Sequence, residues 1–552
     1  VKGKIRNALT AAMVLVAGTG LLAIGATGAD AASAKSSHLV DVSMFGQSGN
    51  GVLDLKTNWF TKYVRSKFGL NIHWVLAPAG DLTSKQSLLV ASGNYPDIFF
   101  NGQFSPTEVL QNAQEGLFVP LNSYIKRYAP NVWRAIQTAP GYKAAAEAPN
   151  GNIYALPAYN YCAHCDYPAQ MWIDTTAFAK AHVPIPKGPI SLTAFESMLI
   201  KFKQHGITPF SSAPSLTAQP MAPIINAFIY DDGSDFFDVN NGKLSFAPEE
   251  PEWKAALTYA HGLFAKGLLN TEIFTQSGSQ ITSLADANKV AIVVAHSASD
   301  IVSGYGVGKE WRSWTTTLPV LRGPHGVEWT RFAGNQPTGE TFAATNKATP
   351  EQIIATMKLL NFMYTPTGQQ FEDFGPAGIY WTLAKRGQKG LTGQQALFNT
   401  DWNKFYGAVT PQNYGWNTMG PMYQSEVWRN GGVALPPFSP NGSQSDLQLQ
   451  VELHYMGHQP KEVFPGVVWV PTADAQQYAM DQTNIDDYVN QWQAAFVTGT
   501  KPLSDWNTYV QGLQHLGLQQ YIQLSQKYMG KPFITTSFRP SASAIHFLEN
   551  LR

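Results

Sequence analysis

Between residues 39 and 100 short apolar strands alternate with amphipathic helices, and this alternation limits the architecture more than any other feature of the chain. Leu39–Met44 reads as a strand, Leu55–Phe68 as a helix with Trp59, Tyr63, Val64 and Phe68 on one face, and Asn71–Leu76 as a strand. Ser84–Ser92 follows as a helix and Asp97–Phe100 as a strand. Strands joined by helical crossovers form a parallel sheet, and such sheets gather ligands at the carboxyl ends of their strands. The loops Phe45-Gly-Gln-Ser-Gly49 and Asn101-Gly-Gln-Phe104 follow two of those ends.

The pattern restarts at Met171–Asp174, a strand followed by a helix to about Ala181. Thr193-Ala-Phe-Glu196 reads as a capping box opening a helix to Gly206, with Phe195, Leu199 and Phe202 on its apolar face. Asn241-Gly242, between Phe236-Phe237 and Leu244–Phe246, is a hairpin signal. Lys289–Ala295 is a buried strand delivering His296–Ser299 to a loop, and Thr341–Thr345 is another strand. Thr349-Pro-Glu-Gln352 caps a helix through Met363, and Trp506, Tyr509, Val510, Leu513 and Leu516 recur at helical spacing. At 552 residues the chain exceeds the usual size of one core, so two or more domains are expected.

Residues 1–31 read as a secretory signal: Lys2, Lys4 and Arg6, an apolar run from Ala8 to Ile24, then Ala29-Asp30-Ala31 and a cut before Ala32. Ala32-Ser33-Ala34 is a second site, and a retained membrane anchor is the other reading of the run. The 38 basic and 38 acidic residues balance, with no basic run, which sets aside nucleic acid and anionic membranes as partners. Charged residues are only 14% while aromatic ones reach 12%, and several rings sit in loops beside Gly, Asn and Gln, a setting that suits an uncharged polyhydroxylated ligand.

Cys162 and Cys165, in Tyr161-Cys-Ala-His-Cys-Asp166, are the only cysteines. A four-cysteine zinc site would need a second pair, and a thiol oxidoreductase would carry the motif at a helix start, so a small structural disulfide is expected in an oxidising compartment. A metal site completed by His164 and distant residues is the alternative. The acidic loop Asp231, Asp232, Asp235, Asp238 lacks the spacing of a calcium loop and reads as a solvated turn. His454 and His458, beside Gly457 and Pro460, read as solvated loop residues. No G-x-S-x-G, P-loop or H-E-x-x-H is present, and no cofactor or metal is expected.

Several segments resemble the extracellular solute-binding proteins of ABC importers, in particular the large carbohydrate-binding group of Gram-positive bacteria. They are Ser87–Ile98, Ala169-Gln-Met-Trp-Ile-Asp174, Asn226–Asp231, Phe246-Ala-Pro with Pro251-Glu-Trp-Lys254, Phe374–Trp381 and Thr498–Trp506, in order between about residues 39 and 528. The Cys-Ala-His-Cys element is similar to one that several members carry. Many members also carry a lipidated cysteine after the signal, and none lies between Val1 and Ser37, so the mature protein is expected to be secreted or held at the outer face of the membrane by other means.

The resemblance implies an α/β fold of two lobes, the type II periplasmic-binding-protein architecture, with the ligand in a cleft beside a multi-segment hinge. Residues 39–160 and 328–375 would form the first lobe and 165–325 and 376–528 the second, with 531–552 a tail of unknown role. The implied function is a monomeric, non-enzymatic binding protein that delivers a neutral oligosaccharide to an ABC permease. A secreted glycoside hydrolase or lyase is the alternative, since its paired carboxylates need not be close in sequence, and a peptide or lipid binder is a third possibility. Sugar faces stack on rings and hydroxyls need directed partners, so the first-lobe and hinge candidates are Gln47, Asn101, Tyr159, Asn160, Tyr161, Asn335 and Gln336, with Asp166 and Tyr167 presented by the disulfide loop. The second-lobe candidates are Asp231, Ser297, Tyr380, Trp381, Trp416 and Tyr423.

Overall fold

Val40–Ser48 is the hub of a six-stranded sheet, paired in parallel with Leu70–Pro78 on one side and Ile98–Phe99 on the other. Thr338–Ala344 runs antiparallel to Ile98–Phe99 and to Ala155–Asn160, and Tyr423–Gln424 adds a parallel edge. This computed structural model describes residues 39–535 apart from 50, 163–164, 217–218, 304–309, 335, 407–410, 418, 422 and 436–451. The signal segment, His164, Asn335 and the tail beyond 535 therefore lie outside the described residues. The two-residue period of the central strand sends Val42 and Met44 into one core layer and Phe45 into the other. The first helix begins at Trp59 because Asn58 caps it: its side chain accepts the Phe60 N–H at 2.8 Å while its amide donates to the Gly415 carbonyl at 2.8 Å. Thr349 and Gln352 form the expected capping box of Pro350–Met363.

The second sheet has the order Thr316–Thr317, Gln170–Ile173, Val290–Ala295, Thr208–Ser211, and every residue of Val290–Ala295 is buried. Helices Leu192–Gln204, Pro251–Ala265, Thr472–Thr498, Trp506–His515 and Leu518–Tyr528 supply its main core. The cap of Leu192–Gln204 is Ser191, which accepts the Ala194 N–H at 3.2 Å, and not Thr193; helix formation starts as soon as the chain leaves the short strand Ile190–Ser191. The hairpin forms as expected, with Asn241 and Gly242 at φ of 50° and 72°, the pair of positive values that a type I′ turn requires.

Two expectations about boundaries are corrected. Of residues 376–528, expected in the second lobe, the described part of 376–435 packs on the first: Trp416 and Met419 join its core, and Trp381, Phe398, Phe405 and Trp428 cluster with Phe374 against Phe371. The reason is that helix Pro366–Phe374 offers the rings of Phe371 and Phe374 for packing and an acceptor, Gln370 Oε1, for the Trp428 indole N–H at 2.9 Å. The tail also begins with structure, because Phe533–Ile534 pairs antiparallel with Glu462–Val463. The chain passes between the sheets through 161–169, through 318–337 and through the stretch ending at 471. Among the described residues no helix is long and apolar enough to cross a membrane.

Candidate functional site

Strand directions decide which loops share an edge. Gln47, Asn101, Asn160 and Tyr161 all lie at the carboxyl edge of the first sheet, because Val40–Ser48, Ile98–Phe99 and Ala155–Asn160 run the same way. Ser297 follows Val290–Ala295 at the corresponding edge of the second sheet, buried and capping the short turn Ala298–Asp300. Gln170 joins it there, opposite Ala295, fully buried, with neither amide atom hydrogen-bonded to a described residue. The sequence reading missed Gln170, although an amide at the head of an apolar strand was a usable signal. Asn101 and Asn160 likewise have Oδ1 atoms buried without a partner among the described residues. Amides so placed can both donate to and accept from hydroxyl groups.

A groove of about 570 Å³, within the size range of small-ligand sites, is walled by residues of both lobes, and none of the side chains just named is in its lining. The first lobe contributes the start of helix Pro106–Gln114, where Thr107 and Gln111 face the groove, and Gly339. Its floor is the crossing segment from Phe464 to Val470, held by a 3.1 Å bond from Thr107 Oγ1 to the Val470 carbonyl. The second lobe contributes Asp235 and, from helix Thr472–Thr498, Gln476, Tyr478 and Gln482. Apart from Asp235, which belongs to the acidic loop, none of these was singled out from sequence, because no local motif marks Thr107, Gln111, Gln476, Tyr478 or Gln482.

The acidic loop is not the solvated turn expected. Asp231 is buried, and its carboxyl, which accepts the Gly233 N–H at 2.8 Å, is pushed up to about 7 by burial and by the neighbouring Asp232. Asp232 folds back to accept the N–H groups of Ser234, Asp235 and Phe236 at 2.9, 3.1 and 2.9 Å. Asp235 accepts from Gln482 Nε2 at 2.7 Å; burial, then Asp232, pushes its carboxyl to about 7. Asp231 and Asp232 accept from the backbone of their own loop and Asp235 accepts from Gln482, which satisfies the buried Asp231 and the half-buried Asp232 and Asp235. His454 is half-buried too, 3.0 Å from Thr317 Oγ1 through Nδ1, and His458 Nδ1 lies 3.5 Å from Glu328. Among the described residues no three His, Cys, Asp or Glu side chains are grouped to hold a metal ion.

The aromatic candidates divide. Tyr423 lies parallel to Tyr364 at 4.3 Å and stacks on Tyr159 at 5.6 Å, with Tyr159 itself buried. Burial and then the carboxylate of Glu426 raise the Tyr161 phenol. Tyr167 donates to Gln459 Oε1 at 2.8 Å and packs on Phe332 and Tyr455, so it braces the crossing segments, as does Gln336, which accepts the Gly466 N–H at 2.6 Å. Trp416, Trp381 and Tyr380 were expected as sugar platforms. The structure instead buries them: Trp416 has no exposed surface, Trp381 Nε1 donates to the Gly375 carbonyl at 2.9 Å, and Tyr380 packs on Phe405. Large rings dominate burial, and these cover the first lobe's flank. Cys162 and Cys165 are disulfide-bonded within the first crossing, with Arg429 Nη2 3.2 Å from Cys162 Sγ.

The model of the bacterial extracellular solute-binding protein family matches residues 59–376, more than half of the chain. The chain belongs to that family. A curated relative, the fructooligosaccharide ABC transporter substrate-binding protein FusA of Streptococcus pneumoniae, is 22% identical over 479 residues, 83% of this chain and 84% of its own. The structure of FusA in complex with kestose superposes with a TM-score of 0.70 at 19% identity, covering 88% of this chain and 98% of that one. An extracellular solute-binding protein from Bifidobacterium longum subsp. infantis gives 0.72 at 17% identity, covering 89% and 98%. The fold is therefore the two-lobed one of extracellular solute-binding proteins, and the groove lies where its two lobes meet.

Proposed function

We propose that this solute-binding protein captures a neutral oligosaccharide outside the cell and presents it, unaltered and as a monomer, to the permease of an ABC importer. The observation that carries the reading is the inter-lobe groove, whose lining contains amides, hydroxyls, Tyr478 and a single carboxyl, Asp235, with no Lys or Arg. Such a wall offers directed donors and acceptors and a ring face but no charge to pair with an ionic ligand. Contacts from both lobes favour the closed state because an open groove can make only part of them, and closure is what a permease can read. FusA, whose solved complex holds kestose, supports the sugar class.

The test is thermal unfolding and calorimetric titration against a panel of neutral oligosaccharides including kestose, followed by analysis of the recovered sugar. A bound sugar at a hundred times its Kd stabilises the fold by about 2.7 kcal/mol. Stabilisation with the sugar recovered intact supports the reading. Release of shorter sugars by the pure protein would establish a hydrolase instead, and stabilisation by peptides or lipids alone would overturn the sugar assignment.

A further inference from the structure

Strand Thr208–Ser211 runs parallel to Val290–Ala295, so the residues that follow it leave the carboxyl edge of the second sheet, where an open sheet of this kind gathers ligands. A cavity of about 420 Å³ lies beside that exit, with Pro214 and Leu216 in its wall. The exit is fixed in place: buried Gln276 donates Nε2 to Ser211 Oγ at 2.7 Å, and the Gly278 N–H donates to Ser215 Oγ at 3.0 Å. Opposite lies Gly233, with φ of 73°. A Cβ there would come within 3.0 Å of Arg331 Cζ, so the absence of a side chain is what lets the guanidinium reach this wall. The cavity shares no lining residue with the inter-lobe groove. The Asp231–Asp235 loop, tied to Gln482 through Asp235 at 2.7 Å, stands between the two.

Its polar wall consists of three carboxamides, from Gln219, Asn490 and Gln493, and the Arg331 guanidinium, with the ring of Phe274 beside them and no carboxylate. Gln219 is oriented by donating Nε2 to the Gly233 carbonyl at 3.0 Å, which leaves its Oε1 as an acceptor. Behind the wall, Arg331 is close enough to Asp231 and Asp232 for its charge to draw their carboxyls down against burial. The guanidinium charge is therefore met from within the protein, and the cavity offers donors, acceptors and a ring face without a net charge for an ionic ligand to pair with. Its volume falls in the lower part of the range of small-ligand sites. We infer that this cavity is a second binding site, independent of the groove, for a neutral mono- or disaccharide, with Gln219 and Asn490 as amides that read its hydroxyls. An occupied cavity leaves the groove free, so the chain can hold two ligands at once.

The experiment is calorimetric titration of the full chain with glucose, fructose, sucrose and maltose, repeated with Asn490→Ala, Gln219→Ala and the groove variant Gln476→Ala. Asn490 is exposed and Gln219 half-buried, so neither substitution opens the core, and unfolding midpoints check that each variant is folded. At least one of the four sugars binds the wild type. Asn490→Ala and Gln219→Ala each weaken that sugar by about fivefold, the worth of one neutral hydrogen-bonding group, and Gln476→Ala changes it by less than about twofold. Absence of binding by all four, or an affinity unmoved by both amide variants, overturns the inference. Weakening by Gln476→Ala that matches the amide variants also overturns it, since the short sugar then sits in the groove, and leaves the sugar-binding reading intact. Binding of inorganic phosphate that Asn490→Ala abolishes, with no response to the sugars, overturns the ligand class. Failure of the oligosaccharide panel, with a short sugar still bound through Asn490, overturns the reading of the groove and not of this cavity.

Discussion

Trp416 donates its indole N–H to Thr61 Oγ1 at 2.8 Å and so ties the segment after Gly375 to the first helix of the first lobe. Its ring meets Phe60, Trp74 and Phe100 with centroids 4.7, 5.3 and 5.6 Å away. A fully enclosed ring of this kind is a stability element. Trp416→Ala is expected to cost about 3–5 kcal/mol, and Trp416→Phe about 1 kcal/mol through the lost hydrogen bond. Urea unfolding measures both, and the fraction that remains folded should bind sugar as the wild type does. Weakened binding with unchanged stability would return Trp416 to the ligand site.

The groove side chains should behave in the opposite way. Gln476 is exposed and faces the groove from the first turns of helix Thr472–Thr498. Gln476→Ala removes one neutral hydrogen-bonding group, worth about 1 kcal/mol, or roughly fivefold in Kd. Calorimetric titration with the best ligand of the panel should show that loss while the unfolding midpoint stays within about 1 °C, since surface substitutions are usually near neutral. An unchanged Kd would remove Gln476 from the contact surface.

The contrast between these residues explains how far sequence reading reaches. Periodicity places a strand at Leu39–Met44, which the structure extends through Ser48, and a helix ending at Met363, because burial of one face repeats along a continuous stretch. The Asn241-Gly242 turn and the Cys162–Cys165 bond are legible for the same reason: their partners are local. The groove is assembled from residues near 107, 235, 339, 465 and 480, which no local pattern connects. Trp416 in a Gly- and Asn-rich loop looks the same in sequence whether its ring faces a sugar or Phe60. The Asp231–Asp238 loop looks solvated until its carboxylates are seen accepting from its own backbone.

Phe533 shows that the segment just after helix Leu518–Tyr528 is part of the fold. The ring is buried among Tyr167, Phe332, Tyr455 and Val463, and a Cβ at Gly334 would come within 3.0 Å of it. Thr535 N–H extends the pairing to the Lys461 carbonyl at 3.0 Å. Phe533→Ala should cost about 3 kcal/mol, the low end for a buried ring. It should also expose the segment around Phe533 to proteolysis, read as a new cleavage site near 530 by mass spectrometry. Wild-type resistance and stability in the variant would count against this packing.

For the disulfide, the closed loop is so short that its bond removes little chain entropy from the unfolded state. Reduction should therefore lower the unfolding midpoint by only a few degrees while loosening the first crossing, where Tyr161 and Asp166 sit. Alkylation followed by mass spectrometry should label neither cysteine before reductant and both after it. Free labelling of secreted protein would refute the bond.

The acidic cluster predicts how stability depends on pH. Burial, then the charges of Asp235 and Asp232, pushes the Asp486 carboxyl up to about 8, and Asp231 and Asp235 stand at about 7. A carboxyl whose folded value exceeds its unfolded value of about 3.9 holds its proton longer in the native state. Its stabilising contribution is complete below that unfolded value and is lost as pH rises toward the folded one. From these groups the fold should therefore lose stability between about pH 4 and pH 8. Asp41 and Asp474, whose carboxyls are held low by hydrogen bonds from Asn71 and His73 and from Tyr528 and Lys527, act in the opposite sense, but only as pH falls below the ordinary carboxylate range. Asp486→Asn removes the charge that must otherwise be buried beside Asp235. Its midpoint relative to wild type should rise steadily between pH 5 and pH 8, a comparison in which the remaining groups, including the half-buried His296, largely cancel. Parallel midpoint curves for the two proteins across that window would show that Asp486 is ionised throughout and that the cluster stores no proton.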